Sequence, residues 1–120
     1  KKHFQVGLAT SSPLLLVDTV LEKTGLTGRF KAVTSAEHLP NGKPHPQVYL
    51  DCAALLKTHP TSCVCFEDSF NGMIAAKAAR MKCVVVPDPR AFENNRWEAA
   101  DLKIRTLSEF DERAFSKLNA

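Results

Sequence analysis

Apolar residues in this chain fall into short runs separated by polar, proline- or glycine-bearing stretches, and two periodicities alternate along it. Residues 4–9 form a brief apolar run with polar flanks, which predicts a buried strand. Ser11-Ser12-Pro13 follows, and serine before proline predicts a helix start with a serine cap. Leu14, Val17 and Leu21 then share one helical stripe, which Gly25 closes. Residues 31–35 predict a second, shorter strand, and the proline-rich stretch 39–46 must be a loop. Val48, Cys52 and Leu55 mark a second helix. Residues 62–66 are β-branched and thiol-rich and predict a third strand, with Glu67-Asp68-Ser69 at its carboxyl end. The alanine-rich stretch 72–80 predicts a helix whose small side chains let it lie close on a sheet. Residues 82–86 predict a strand stopped by Pro87 and Pro89. A short helix around Trp97 (94–100), a last strand (102–104) and a terminal helix (107–118) complete the pattern.

Strand alternating with helix predicts an α/β fold, a mostly parallel Rossmann-like sheet with helices on both faces. No repeat or interdomain linker interrupts it, so 120 residues make one domain's worth of chain. Composition narrows the picture only slightly. Sixteen basic and thirteen acidic residues give +3, without long runs of one sign, so no nucleic-acid partner is expected. No apolar stretch reaches the roughly 18 residues that span a bilayer, so no membrane partner is expected either. The opening Lys1-Lys2 pair could imitate a signal-peptide start, but Gln5 and Thr10-Ser11-Ser12 break the apolar run a signal needs. Cys52, Cys63, Cys65 and Cys83 form no C-x-x-C pair and read as reduced, mostly buried thiols of a cytoplasmic protein.

In parallel α/β sheets the active groups gather at the carboxyl ends of strands. Three polar clusters fall there or in a loop beside one. Thr10-Ser11-Ser12 leaves a strand and enters a helix, as a simple cap or as an anion site of hydroxyls and free N–H groups. Lys43 stands between prolines in Asn41-Gly42-Lys43-Pro44-His45-Pro46, as a solvated loop lysine or as a fixed ammonium for a phosphate. His45 between prolines is better suited to a structural hydrogen bond than to base chemistry. Glu67-Asp68 is a pair of adjacent carboxylates, hard oxygen donors that suit Mg²⁺, or else Asp68 or Ser69 only caps the next helix. Asp51 and Asp88 are isolated and read as surface carboxylates. Lys77, Arg80 and Lys82 read as a solvated, basic helix end.

Taken together, these stretches resemble a known family. Glu67-Asp68-Ser69-Phe70-Asn71-Gly72 followed by Ala75-Ala76 and Ala79 matches E-D-S-x-x-G-x-x-A-A-x-x-A, a specific pattern; Gly42-Lys43-Pro44 and Gly7-Leu8-Ala9-Thr10-Ser11-Ser12 match two further motifs. The chain is similar, from Phe4 to about Pro89, to the haloacid-dehalogenase-like phosphohydrolases in their β-phosphoglucomutase-like branch. Within it the stretches S-A-E-x-L-P, K-P-H-P-Q-V-Y-L-D-C-A and A-A-R-M resemble the bacterial hexitol and 2-deoxyglucose 6-phosphate phosphatases.

The resemblance implies a phosphoric monoester hydrolase of small phosphorylated sugars, working with Mg²⁺ through an aspartyl-phosphate. It implies that Thr10 and Ser11 bind phosphoryl oxygens, that Lys43 is catalytic and bridges phosphate and nucleophile, and that Asp68 holds Mg²⁺ with Glu67 as its partner. Ser69 and Gly72 support that loop. One departure is Arg80, where the branch mostly has glycine. A larger one is that the family's D-x-D strand, carrying the nucleophile and the general acid/base, and its cap domain are not among these residues. Residues 1–120 are therefore expected to be the C-terminal portion of such a core, with the nucleophile strand seated between the strands at 4–9 and 62–66. A complete protein of this kind is expected to be a monomer. Two other readings stay open on these residues: a sugar-phosphate mutase on the same fold, and a non-catalytic module that binds phosphate or a partner protein.

Overall fold

A computed structural model describes residues 4–118, so the Lys1-Lys2 pair lies outside the described residues. Five strands, β1 (Gly7–Thr10), β2 (Ala32–Ser35), β3 (Val64–Glu67), β4 (Lys82–Val85) and β5 (Leu102–Lys103), alternate with helices α1 (Leu14–Thr24), α2 (Gln47–Leu55) and α3 (Phe70–Ala78), and α4 (Glu112–Leu118) comes last. Every ladder is parallel. β1 pairs with β2, Gly7 opposite Ala32. β3 pairs with β4, Val64 opposite Lys82, and β4 with β5. The two groups are separate sheets, and among the described residues no ladder joins β1 to β3.

Side chains alternate between two layers, as the pleat requires. Cys65, Cys83 and Val85 point to one face, where Val48, Tyr49 and Ala53 of α2 and Met73, Ala75 and Ala76 of α3 complete the main core. Gly7 and Thr34 share the α2 layer: a Cβ on Gly7 would crowd the Cys52 thiol, and the Thr34 hydroxyl donates to the Val48 carbonyl at 3.0 Å. Val64 and Val84 point the other way, into a smaller core with Ile104, Leu118 and Phe110. Leu8 faces Leu16, Val17 and Val20 of α1 across a gap of about 220 Å³. Helices therefore cover both faces, as the alternation predicts.

Several boundaries differ from the sequence pattern. The first strand begins at Gly7, and residues 4–6 are exposed coil. α1 has no side-chain cap from the serines; Glu37 accepts from the Leu14 N–H at 3.1 Å instead, reaching across from the β2 exit. The terminal helix is cut in two, a 3₁₀ turn at Leu107–Glu109 and then α4. Asp111 causes the break: its carboxylate accepts from the Ala114 N–H at 2.9 Å, a cap that starts a new helix. The stretch 94–100 is a 3₁₀ turn at Asn95–Ala99, anchored by buried Trp97. All four cysteines are free, and Cys52, Cys65 and Cys83 are buried. Burial pushes the Cys52 and Cys63 thiols up; Cys65 is raised by its hydrogen bond with Cys83 and by burial.

Candidate functional site

The carboxyl ends of β1 and β3 and the loop before α2 meet at one edge of the molecule. Lys43 joins them. Its side chain is only 13% exposed, so the solvated-loop reading does not hold. The ammonium lies 2.6 Å from Glu67 Oε2 at the end of β3 and donates at 3.4 Å to the Ala9 carbonyl in β1. One side chain thus spans the two sheets that no ladder connects. Prolines on both sides of the lysine and the turn closed by His45 N–H to the Gly42 carbonyl at 2.9 Å hold its backbone.

Glu67 is the buried anion of this edge. Its side chain is 7% exposed, and burying a carboxylate is costly unless partners satisfy it. Three partners do. Lys43 and the Tyr49 hydroxyl both donate to Oε2, and the Ser69 hydroxyl donates to Oε1 at 3.3 Å. Burial pushes the Tyr49 phenol well above its ordinary range, with Cys65 and Glu67 adding to the shift, so it stays a neutral donor. The Lys43 ammonium also sits 4.8 Å from the centre of the Tyr49 ring. Gly72 supplies the remaining room: an added Cβ would overlap the Glu67 carboxylate. Its requirement for glycine is this close approach and not backbone conformation.

Ser69 has a second task. Its hydroxyl accepts from the Gly72 N–H at 3.0 Å and caps α3. The cap reading of this cluster therefore holds for Ser69 and not for Asp68, whose exposed carboxylate makes no side-chain hydrogen bond among the described residues. On the β1 side, Thr10 Oγ1 accepts from the Ser12 N–H at 3.0 Å, and the Ser12 carbonyl accepts from Ser35 Oγ at 2.6 Å. These bonds fold the strand exit into a tight turn and leave Ser11 exposed at its tip.

A cleft of about 500 Å³ opens over this edge, lined by Ser11, Lys43, Ser69, Phe70, Asn71 and Arg96. The structure thus brings Ser11, Lys43 and Ser69 to one wall. Thr10, Glu67 and Asp68 adjoin the lining through their chain neighbours, with Glu67 beneath Lys43. Four of these residues were not singled out from sequence: Tyr49, Phe70, Asn71 and Arg96. Tyr49 carried a signal, since a tyrosine on a buried helical stripe needs a hydroxyl partner. Asn71 sits inside the motif at the start of α3. Arg96 carried none, because only the fold brings its turn to the cleft.

The oxygen donors suit a hard cation. Mg²⁺ takes one or two protein carboxylates and completes its shell with water and phosphate oxygens. Asp68 is the carboxylate free to do so, and Glu67, committed to Lys43 and Tyr49, stands beside it. Among the described residues no cluster of three or more His, Cys, Asp or Glu side chains forms, so a full set of protein ligands is not assembled by these residues alone. The other candidates stay structural. His45 Nδ1 accepts from the Gln47 N–H at 3.2 Å, Asp51 accepts from the Gln47 side chain at 2.7 Å, and Asp88 caps the turn at Pro89–Ala91.

Comparison with known proteins shows the family and fold of the chain. The sequence model described as haloacid dehalogenase-like hydrolase matches residues 1–86. Hexitol phosphatase B of Escherichia coli (strain K12) is 55% identical over 104 residues, covering 87% of this chain and 47% of that protein. A fructose-1-phosphate phosphatase of the same strain is 38% identical over 81 residues, covering 68% of this chain and 43% of that protein. Among solved structures, the β-phosphoglucomutase of Clostridium difficile superposes with a TM-score of 0.82 at 26% identity, covering 97% of this chain and 49% of that one. The chain spans about half the length of the curated relatives it matches. By its match to the family model and its identity to these relatives, the chain belongs to the haloacid dehalogenase-like hydrolases.

Proposed function

We propose that this chain is the phosphate- and metal-binding part of a phosphatase acting on small phosphorylated sugars. The observation that carries the reading is Lys43, held between Glu67 at 2.6 Å and the Ala9 carbonyl at 3.4 Å beside the Ser11 tip. An ammonium fixed in a cleft costs no reorganisation when a phosphoryl group gathers charge, and that preorganisation stabilises the transition state. In this reading Thr10 and the Ser11 N–H take phosphoryl oxygens and Lys43 neutralises both phosphate and nucleophile. Glu67 acts through Lys43, as a positioning residue. Asp68 is the ligand that would hold Mg²⁺, which supplies further charge neutralisation at the phosphate when bound. The nucleophilic aspartate belongs to a strand outside these 120 residues, seated between β1 and β3, and carries the phosphoryl group as an aspartyl-phosphate. The names of the two bacterial relatives, a hexitol and a fructose phosphatase, support a sugar phosphate as substrate.

The likeness to a β-phosphoglucomutase favours a second reading, phosphoryl transfer between positions of one sugar. Phosphate release separates the two, since a mutase yields an isomer and little free phosphate. For the first reading, Asp68→Asn in the full-length protein should sharply raise the Mg²⁺ concentration needed for hydrolysis of hexitol and hexose 6-phosphates. Superimposable Mg²⁺ titrations of variant and parent would remove Asp68 from the metal site.

A further inference from the structure

Arg96 lines the same cleft as Lys43, yet no motif includes it. Several basic side chains of the fold are held in salt bridges. Lys43 is neutralised by Glu67, Lys77 by Asp101 at 2.7 Å, Arg90 by Asp88 at 3.1 Å and Arg105 by Glu93 at 3.3 Å. Among the described residues Arg96 has no such anion; it is an exposed residue in the lining of the cleft. Its backbone is nonetheless fixed on both sides. Asn94 Oδ1 accepts from the Arg96 N–H at 2.9 Å, and the next residue, Trp97, is 5% exposed and donates from its indole N–H to the Ala91 carbonyl at 2.8 Å. The turn at Asn95–Ala99 packs against α3, the helix that brings Ser69, Phe70 and Asn71 to the same cleft. The result is an exposed arginine without an anion partner, on a hydrogen-bonded turn, in the lining of a cleft whose other cation is already paired.

A planar fork of N–H donors binds two oxygens of a phosphate at once. We propose that Arg96 is a substrate-binding residue that takes the phosphate end of the incoming ester. It provides a positive charge not held in a salt bridge, which draws a dianion into the cleft, where Lys43 and the Ser11 turn receive it. This rests on the phosphatase reading above, and it adds a group from outside the motifs that define that reading. A guanidinium serving the sugar hydroxyls instead would also fit a polar cleft, but the missing counter-ion favours the anionic end.

The test uses the full-length protein, Arg96→Gln and Arg96→Lys, with three probes: inorganic phosphate, p-nitrophenyl phosphate and a hexitol 6-phosphate. Binding of inorganic phosphate with Mg²⁺ present, followed by calorimetry, should weaken at least about tenfold in Arg96→Gln and less in Arg96→Lys. kcat/KM should fall by a similar factor for both esters and lose part of its dependence on ionic strength, while the melting temperature is kept. Unchanged phosphate affinity in both variants overturns the proposal. A loss confined to the hexitol ester, with p-nitrophenyl phosphate and free phosphate unaffected, also overturns it and moves Arg96 to the sugar. If the parent hydrolyses no ester, the phosphatase reading fails on its own, and the calorimetry still decides for or against Arg96.

Discussion

Lys43 has few ways to be replaced. Its ammonium satisfies a carboxylate that is 7% exposed, and it is itself 13% exposed. Removing one member of such a pair leaves the other buried and uncompensated, which commonly costs about 3–5 kcal/mol. Lys43→Ala should therefore lower stability as well as activity. Loss of one preorganised electrostatic contact costs on the order of 3 kcal/mol in the transition state, so catalytic efficiency of the full-length enzyme should fall roughly a hundredfold or more. A loss below about threefold, measured on folded variant, would return Lys43 to a structural role. The motif containing Lys43 was legible in sequence. Its contact with Glu67 was not, because the two lie on separate elements and only the closure of β1, β3 and the loop before α2 joins them. Tyr49 was missed for the same reason.

At the scale of elements, chain pattern and structure agree on type and order, and they part at the ends, where single side chains decide. Asp111 divides the last helix by capping Ala114. Glu37 caps α1 from another loop, which no local pattern encodes. Arg80 is the reverse case, a departure visible in sequence whose cost the structure locates. It ends α3 in the left-handed region at φ 70°, where a side chain crowds the backbone and glycine does not. Arg80→Gly should raise unfolding free energy by about 1 kcal/mol in denaturant titrations of the full-length protein. An equal or lower midpoint would show that Arg80 makes compensating contacts.

The link between β4 and the turn at Asn95–Ala99 has its own signature. Asp101 Oδ2 accepts from Lys77 Nζ and from the Cys83 N–H, each at 2.7 Å. Partial burial alone would raise its pKa, but Lys77 and the backbone N–H outweigh that and hold the carboxyl below its usual range. A folded-state pKa below the unfolded value, near 3.9, gives stability that is present above that pH and lost as pH falls through the folded value. Asp101→Asn should thus cost about 1 kcal/mol at pH 7, and the gap to the parent should close below about pH 4. A gap independent of pH would mean that the carboxylate charge plays no part.

The whole molecule is joined more by side chains than by backbone across its middle. Lys43 ties β1 to β3 at the carboxyl end. On the α4 face, rings pass from Phe4 to Phe115 to Phe110 to Phe66, with centroids 5.5, 6.4 and 4.9 Å apart, and bridge the same two sheets. Between them β1 and β3 meet through no ladder among the described residues. Large apolar side chains are also exposed: Phe4 is 66% exposed, Leu15 79%, Leu16 50% and Val20 49%. Strand edges left without partners and many exposed large apolar side chains are poor features for a domain in water. Both fit a core that takes a further strand between β1 and β3, as the proposed nucleophile strand would be. The 120 residues produced alone should then aggregate or remain partly unfolded, bind a hydrophobic dye, and release no phosphate from sugar phosphates with Mg²⁺. Co-production with the rest of the full-length chain should restore a soluble species. A monomer with a cooperative melt would show that side-chain bridges suffice, and phosphate release by the 120 residues alone would place the nucleophile within them.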